Sequence, residues 1–196
     1  MSAARLVDQP WRRPPQLDAI LTDAHRLGFA MSCEDRTGAL LAVLAASKPG
    51  GRLLELGTGA GAGAAWLLDG MTATATLISV EADPTVQDVA RRHLGMDPRL
   101  RLVQQDAAAW LAGYTGPPFD FAYVDCRPGK YEHLDRLVSL LRPGALYVGD
   151  DLLPQPTWPH DHQVRVDAFL DRLVHERGIR PLIMNWASGL VVAART

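Results

Sequence analysis

Glu81, Asp106, Asp125, Asp150 and Asp151 each stand at or just past the end of a short apolar run in this 196-residue chain, and Glu55 stands inside one. Carboxylates in such places can grip sugar hydroxyls, ligate a hard cation or accept a proton. Among them lies a second feature. Leu53-Leu54-Glu55-Leu56 runs into Gly57-Thr58-Gly59-Ala60-Gly61-Ala62-Gly63, with glycines in alternate positions, and then into Ala64-Ala65-Trp66-Leu67-Leu68. The pattern predicts a buried strand, a tight turn and a helix N-terminus, whose small residues let main-chain N–H groups approach a nucleotide-like ligand. Gly57-x-Gly59-x-x-Ala62 also satisfies the loose dinucleotide fingerprint, and Glu81 follows Gly61 at the spacing of a ribose-binding acid. Glu55 tilts the balance away from a nicotinamide cofactor. A dinucleotide-binding strand usually carries an apolar residue there, whereas an acid can meet a ligand ammonium or a helix N-terminus.

Positioning these groups requires alternating strands and helices. Leu17–Leu27 and Arg36–Ala46 read as amphipathic helices, stopped by Gly28 and by Lys48-Pro49-Gly50-Gly51. After the glycine turn, strands are predicted at Ala75–Val80, Leu100–Val103, Phe119–Val124 and Ala145–Val148. Helices are predicted between them at Pro84–Leu94, Ala107–Leu111 and Tyr131–Leu141. A proline-broken loop spans Leu153–His162, a helix follows at Val164–Arg177, and Arg180–Asn185 with Leu190–Ala194 read as an antiparallel pair. The expectation is one α/β domain over residues 1–196, a doubly wound, mostly parallel seven-stranded sheet with an antiparallel C-terminal hairpin and N-terminal covering helices.

Ligands of such sheets bind at the C-terminal ends of the parallel strands. Four successive strands deliver carboxylates to that rim: Glu81, Asp106, Asp125 and the pair Asp150-Asp151. Asp125, Asp150 and Asp151 lie on neighbouring strand ends and would repel one another unless protons or a cation intervened. A divalent ion such as Mg²⁺ would satisfy them. Trp158, His160 and His162 fall in the loop after the fifth strand, stiffened by Pro154, Pro156 and Pro159, and Trp186 falls at the final hairpin. These aromatic residues would suit a planar acceptor or pack on the sheet edge. The two histidines are expected in solvent.

In combination these segments resemble the small S-adenosylmethionine-dependent O-methyltransferases of the catechol and caffeoyl-CoA type, from about Met31 to the C-terminus. Glu55-x-Gly57-x-Gly59-x-Gly61, continuing to Gly63, is similar to the family's first motif, around the methionine end of the cofactor. Val80-Glu81-Ala82-Asp83-Pro84 is similar to the ribose-binding segment, and Gln105-Asp106-Ala107 to the segment beside the adenine. Ser32 and Cys33 fall where the family's covering segment touches the methionine moiety. The resemblance implies a metal site at Asp125, Asp150 and Asp151, with Asp151 replacing the family's Asn. It implies Asp125 beside the cofactor and in catalysis, and Lys130 as proton acceptor, although Lys130 comes five residues after Asp125 and the family's lysine three. It further implies a small methyl acceptor, with phenols as the candidate class, and a homodimer. The competing readings are an NAD(P)-dependent oxidoreductase, which lacks a hydride-transfer constellation here, and a non-catalytic cofactor-binding protein.

Composition bounds the remainder. A formal charge of −2 and a pI near 6.3 give no electrostatic footprint for nucleic acid or acidic membranes. Neither a signal peptide nor a run of membrane-spanning length is expected. Cys33 and Cys126, isolated in sequence, suit reduced thiols in the cytoplasm.

Overall fold

The computed structural model describes residues 8–155 and 158–196. Pro156, one of the loop prolines, and the N-terminal segment lie outside the described residues. Seven strands form one sheet in the order β3-β2-β1-β4-β5-β7-β6: β1 (Arg52–Leu56), β2 (Thr76–Glu81), β3 (Leu100–Gln104), β4 (Phe119–Val124), β5 (Leu141–Gly149), β6 (Ile179–Met184) and β7 (Leu190–Arg195). The first five are parallel, and β7 runs antiparallel between β5 and β6. This is the expected architecture. The strand order reverses between β1 and β4, the point where a crevice opens at the carboxyl ends of a doubly wound sheet.

Helices cover both faces, so the central strands are apolar on both sides. α1 (Leu17–Arg26), α2 (Asp35–Ala46), α3 (Ala62–Gly70) and α4 (Pro84–Leu94) lie on one face, over Leu53, Leu77, Phe121, Tyr123 and Val148. α5 (Ala107–Gly113), α6 (Leu134–Ser139) and α7 (His162–His175) cover the other face, over Leu54, Leu56, Val80, Val124 and Tyr147. The alternation along β1 assigns Glu55 to the first face, together with Leu53. α2 approaches α3 closely because Gly38 lies against the indole of Trp66, where a Cβ would overlap the ring.

Two elements differ from expectation. α6 begins at Leu134 and not at Tyr131. Pro128, Gly129 at φ +92 and His133 at φ 56 keep residues 125–133 out of the helical region, and Gly129 donates to the Glu132 carbonyl at 2.7 Å. β5 starts at Leu141, four residues earlier than expected, and Leu141 pairs with Phe119 across a register shift. That irregularity lets the Arg142-Pro143-Gly144 turn continue the strand, although its residues have no strand pattern.

Candidate active site

β1, β2 and β4 bring one row of polar side chains onto the same face. Glu55 is in register with Ser79 on β2 and with Tyr123 on β4, and all three are buried. One Glu55 oxygen, Oε2, accepts from the Ser79 hydroxyl, which in turn meets Thr58 of the glycine turn. The other, Oε1, has no hydrogen-bond partner and lies where a Cβ on Gly63 would intrude. Burial pushes the Glu55 carboxyl up to about 8, opposed by the Ser79 hydrogen bond and supported by the charge of Glu81. A buried acceptor atom left open in this way calls for a donor from a ligand.

The turn itself is shaped by close approaches. Gly57 has φ +93, and a Cβ there would come within 2.7 Å of the Asp125 carbonyl oxygen, so the ends of β1 and β4 meet only because the side chain is absent. A Cβ on Gly59 would sit 3.0 Å from the Phe29 ring, and one on Gly61 would be 2.8 Å from the Ala90 methyl. Gly61 therefore serves the packing of α3 on α4 and does not line the crevice. Glu81 pins the turn from the neighbouring strand. Its Oε2 accepts from the Gly59 N–H at 2.8 Å, and its Oε1 accepts from Ala82 and Asp83 at 2.9 and 3.0 Å.

Two cavities meet at this rim. One, about 230 Å³, is lined by Glu55, Gly57, Gly59, Gly63, Glu81 and Cys126. The other, about 420 Å³, is lined by Glu34, Asp150, Gln155, Trp158 and Ser188. Met31, Ser32, Cys33, Asp125 and Asp151 belong to both, so the sequence-predicted Ser32, Cys33 and Asp125 stand at the junction. Asp106 is elsewhere: its carboxylate accepts from Ala109 N–H at 2.9 Å and caps α5. A larger cavity, about 760 Å³, opens beside the C-terminal ends of α3 and α4 and contains none of the rim acids.

The three junction aspartates are not equivalent. Asp150 is 3% exposed. Its carboxylate accepts from the Tyr123 hydroxyl and the Asp151 N–H, both at 2.8 Å, and from the Ser188 hydroxyl. Burial raises the Asp125 carboxyl well above the usual range, reinforced by the charges of Asp150 and Asp151 and opposed by Lys130. Asp151, held at φ 66, is raised in the same direction by burial, with Lys130 again opposing. Lys130 is 3% exposed, and its Nζ donates to the Asp150 carbonyl at 2.7 Å. The 125–133 loop thus turns Lys130 inward, away from solvent. Among the described residues no three His, Cys, Asp or Glu side chains are grouped to hold a metal ion. The fit to Mg²⁺ is poor on the donors, since three of the four lone-pair sites of the Asp150 carboxylate are already engaged within the protein.

A family profile described as "Methyltransferase domain" matches residues 54–152. A curated relative from Mycolicibacterium vanbaalenii, named "Putative O-methyltransferase", is 30% identical over 174 residues, covering 81% of this chain and 74% of its own. The chain belongs to the methyltransferase domain family. Among solved structures, an O-methyltransferase from Klebsiella pneumoniae, described as putative in its name, aligns with TM-score 0.82 at 26% identity, over 95% of this chain and 92% of that one. The Bacillus cereus O-methyltransferase in complex with SAH aligns with TM-score 0.83 at 19% identity, over 95% and 93% of the two chains, and shows the shared fold. The nicotinamide reading of the glycine turn is accordingly set aside, as is the non-enzymatic one.

For this methyltransferase, several rim residues escape sequence reasoning. Phe29, Thr58 and Cys126 line the first cavity without belonging to a recognisable pattern. Burial pushes the Cys126 thiol up to about 12, against the pull of Lys130, which disfavours the nucleophilic thiolate. Ser79 was legible in principle, as a hydroxyl within the apolar run Leu77–Val80. The expectation of two solvated histidines holds for His160 alone. The His162 ring is half-buried, 3.7 Å from the Trp158 ring between centroids, with Nε2 3.1 Å from the Asp151 carbonyl oxygen. Trp186 stays outside both cavities, under the Arg36 guanidinium at 5.6 Å.

Proposed function

We propose that this enzyme transfers a methyl group from S-adenosylmethionine to a hydroxyl of a small acceptor, with a phenol as the acceptor class. The observation that carries the reading is the pair of cavities sharing Asp125, Asp151 and the 31–33 segment. The first has the features of a cofactor cradle, namely the open Glu55 Oε1, the Cβ-free wall at Gly63 and the Glu81 carboxylate. S-adenosylmethionine supplies an electrophilic methyl group on a sulfonium sulfur. In this reading Glu55 accepts from the ligand amine, Glu81 accepts from a ribose hydroxyl with the remaining lone pair of its Oε2, and Ser32 and Cys33 close over the methionine portion. Trp158 offers a planar wall to the acceptor ring.

Catalysis then rests on holding the acceptor oxygen in line with the methyl carbon. The carbon–oxygen bond forms as the carbon–sulfur bond breaks, and Asp125 takes the hydroxyl proton. Lys130 keeps positive charge beside the developing phenolate. The resemblance supports a homodimer acting as a single domain over residues 1–196, and the two free thiols support a cytoplasmic setting. Calorimetry with S-adenosylhomocysteine and NADH in parallel tests the cofactor. Binding of the first with no heat from the second is expected, and the reverse would overturn the assignment. Mass spectrometry of a phenolic panel incubated with S-adenosylmethionine then reads the acceptor.

A further inference from the structure

We infer that the Lys130 ammonium is the resident cation of the acidic junction and stands in place of a divalent metal ion. The inference rests on the methyl-transfer reading of the site, and it departs from the metal triad that the resemblance implies. Its first support is Asp150. Tyr123 from β4, Ser188 from the β6–β7 hairpin and the Asp151 N–H all donate to this carboxylate, which is 3% exposed. Asp150 therefore ties three elements together, and an ion would find only one of the carboxylate's four lone-pair sites open there.

The second support is the lysine itself. The loop after β4 could have carried Lys130 into solvent. Instead Gly129 at φ +92 and the Tyr147 hydroxyl, which donates to the Gly129 carbonyl at 3.0 Å, fold the loop inward. The Nζ then reaches the Asp150 carbonyl, an oxygen of the very residue the metal would need. The Lys130 ammonium, buried at the junction and bonded to the Asp150 carbonyl, already places a positive charge there, and a second, doubly charged cation beside it would be repelled.

Titration with Mn²⁺ alone, read as the loss of the free aqueous ion's paramagnetic resonance signal, tests the inference without an acceptor. The wild-type protein should leave the free-ion signal unchanged at metal concentrations up to several hundred micromolar. Lys130→Met, which keeps the stem and removes the charge, should bind one ion per chain. A stoichiometric site in the wild type overturns the inference, and so does a Lys130→Met protein that stays silent while still folding by circular dichroism. The wild-type arm stands whether or not the variant folds. Activity gives a second arm. Turnover after exhaustive chelation should match that of untreated enzyme, and a tenfold loss restored by Mg²⁺ would overturn the inference. S-adenosylhomocysteine binding is measured on the same samples, so a failure of the cofactor reading is seen separately.

Discussion

Glu55 carries a carboxyl group into the middle of a parallel sheet, where its neighbours on the strand are Leu54 and Leu56 and its one tether is Ser79. With its folded pKa raised from 4.5 to about 8, the folded chain holds a proton there that the unfolded chain releases. Between these values stability must fall as pH rises, by an amount on the order of a few kcal/mol across the window, and flatten above it. Urea midpoints of the ligand-free protein at pH 5 and pH 8 should show that decline, and Glu55→Gln should make it shallower. Asp125 and Asp151, raised in the same direction, keep some slope in the variant. Glu81→Ala should weaken S-adenosylhomocysteine binding by about 1.5–3 kcal/mol, the scale of a charged hydrogen-bond partner. Calorimetry reads this as roughly a tenfold to hundredfold change. Residue types and strand-end positions made Glu55, Glu81, Asp125 and the glycines legible in the sequence. The partners of those residues were not, because the Ser79 and Tyr123 contacts depend on register between strands far apart in the chain. Asp106 shows the opposite failure, since an acid before a helix caps it as readily as it meets a ligand.

Among the elements, the parallel strands and the helices between them follow from hydrophobic periodicity and glycine or proline stops, and nearly all lie where these signals put them. The loop between β4 and α6 did not follow from such signals. Tyr131, Leu134, Leu137 and Val138 continue a helical spacing upstream of the true start, and the backbone conformations at Gly129 and His133 override it. That override turns Lys130 inward. The packing of α2 on α3 makes a separate expectation. Gly38→Val would press two methyl groups into the Trp66 indole and should cost about 1–3 kcal/mol, as overpacked cores do. The urea midpoint measures it. Because α2 follows directly from the 31–34 segment, the same variant should also weaken S-adenosylhomocysteine binding, whereas an exposed-face change on α2 such as Val43→Ala should leave both unaltered.

At the scale of the whole molecule, the candidate rim is assembled from the glycine turn, three strand ends, the 125–133 loop and the link between α1 and α2. That link supplies Met31, Ser32 and Cys33 to both cavities at once, as one shared wall. A wall with two tenants makes each ligand a term in the other's binding free energy. Occupying the first cavity braces residues 31–33 and spares the second ligand the entropy of ordering them. The linkage is reciprocal by thermodynamic necessity: the factor by which S-adenosylhomocysteine tightens the acceptor equals the factor by which the acceptor tightens S-adenosylhomocysteine. Two calorimetric titrations run in opposite order should return the same factor, about fivefold or more, and Ser32→Gly, by loosening the wall, should enlarge it. Free and bound protein would then differ less in shape than in how much of the 29–34 segment is free to move, and hydrogen exchange at those amides should slow on cofactor binding before any acceptor arrives.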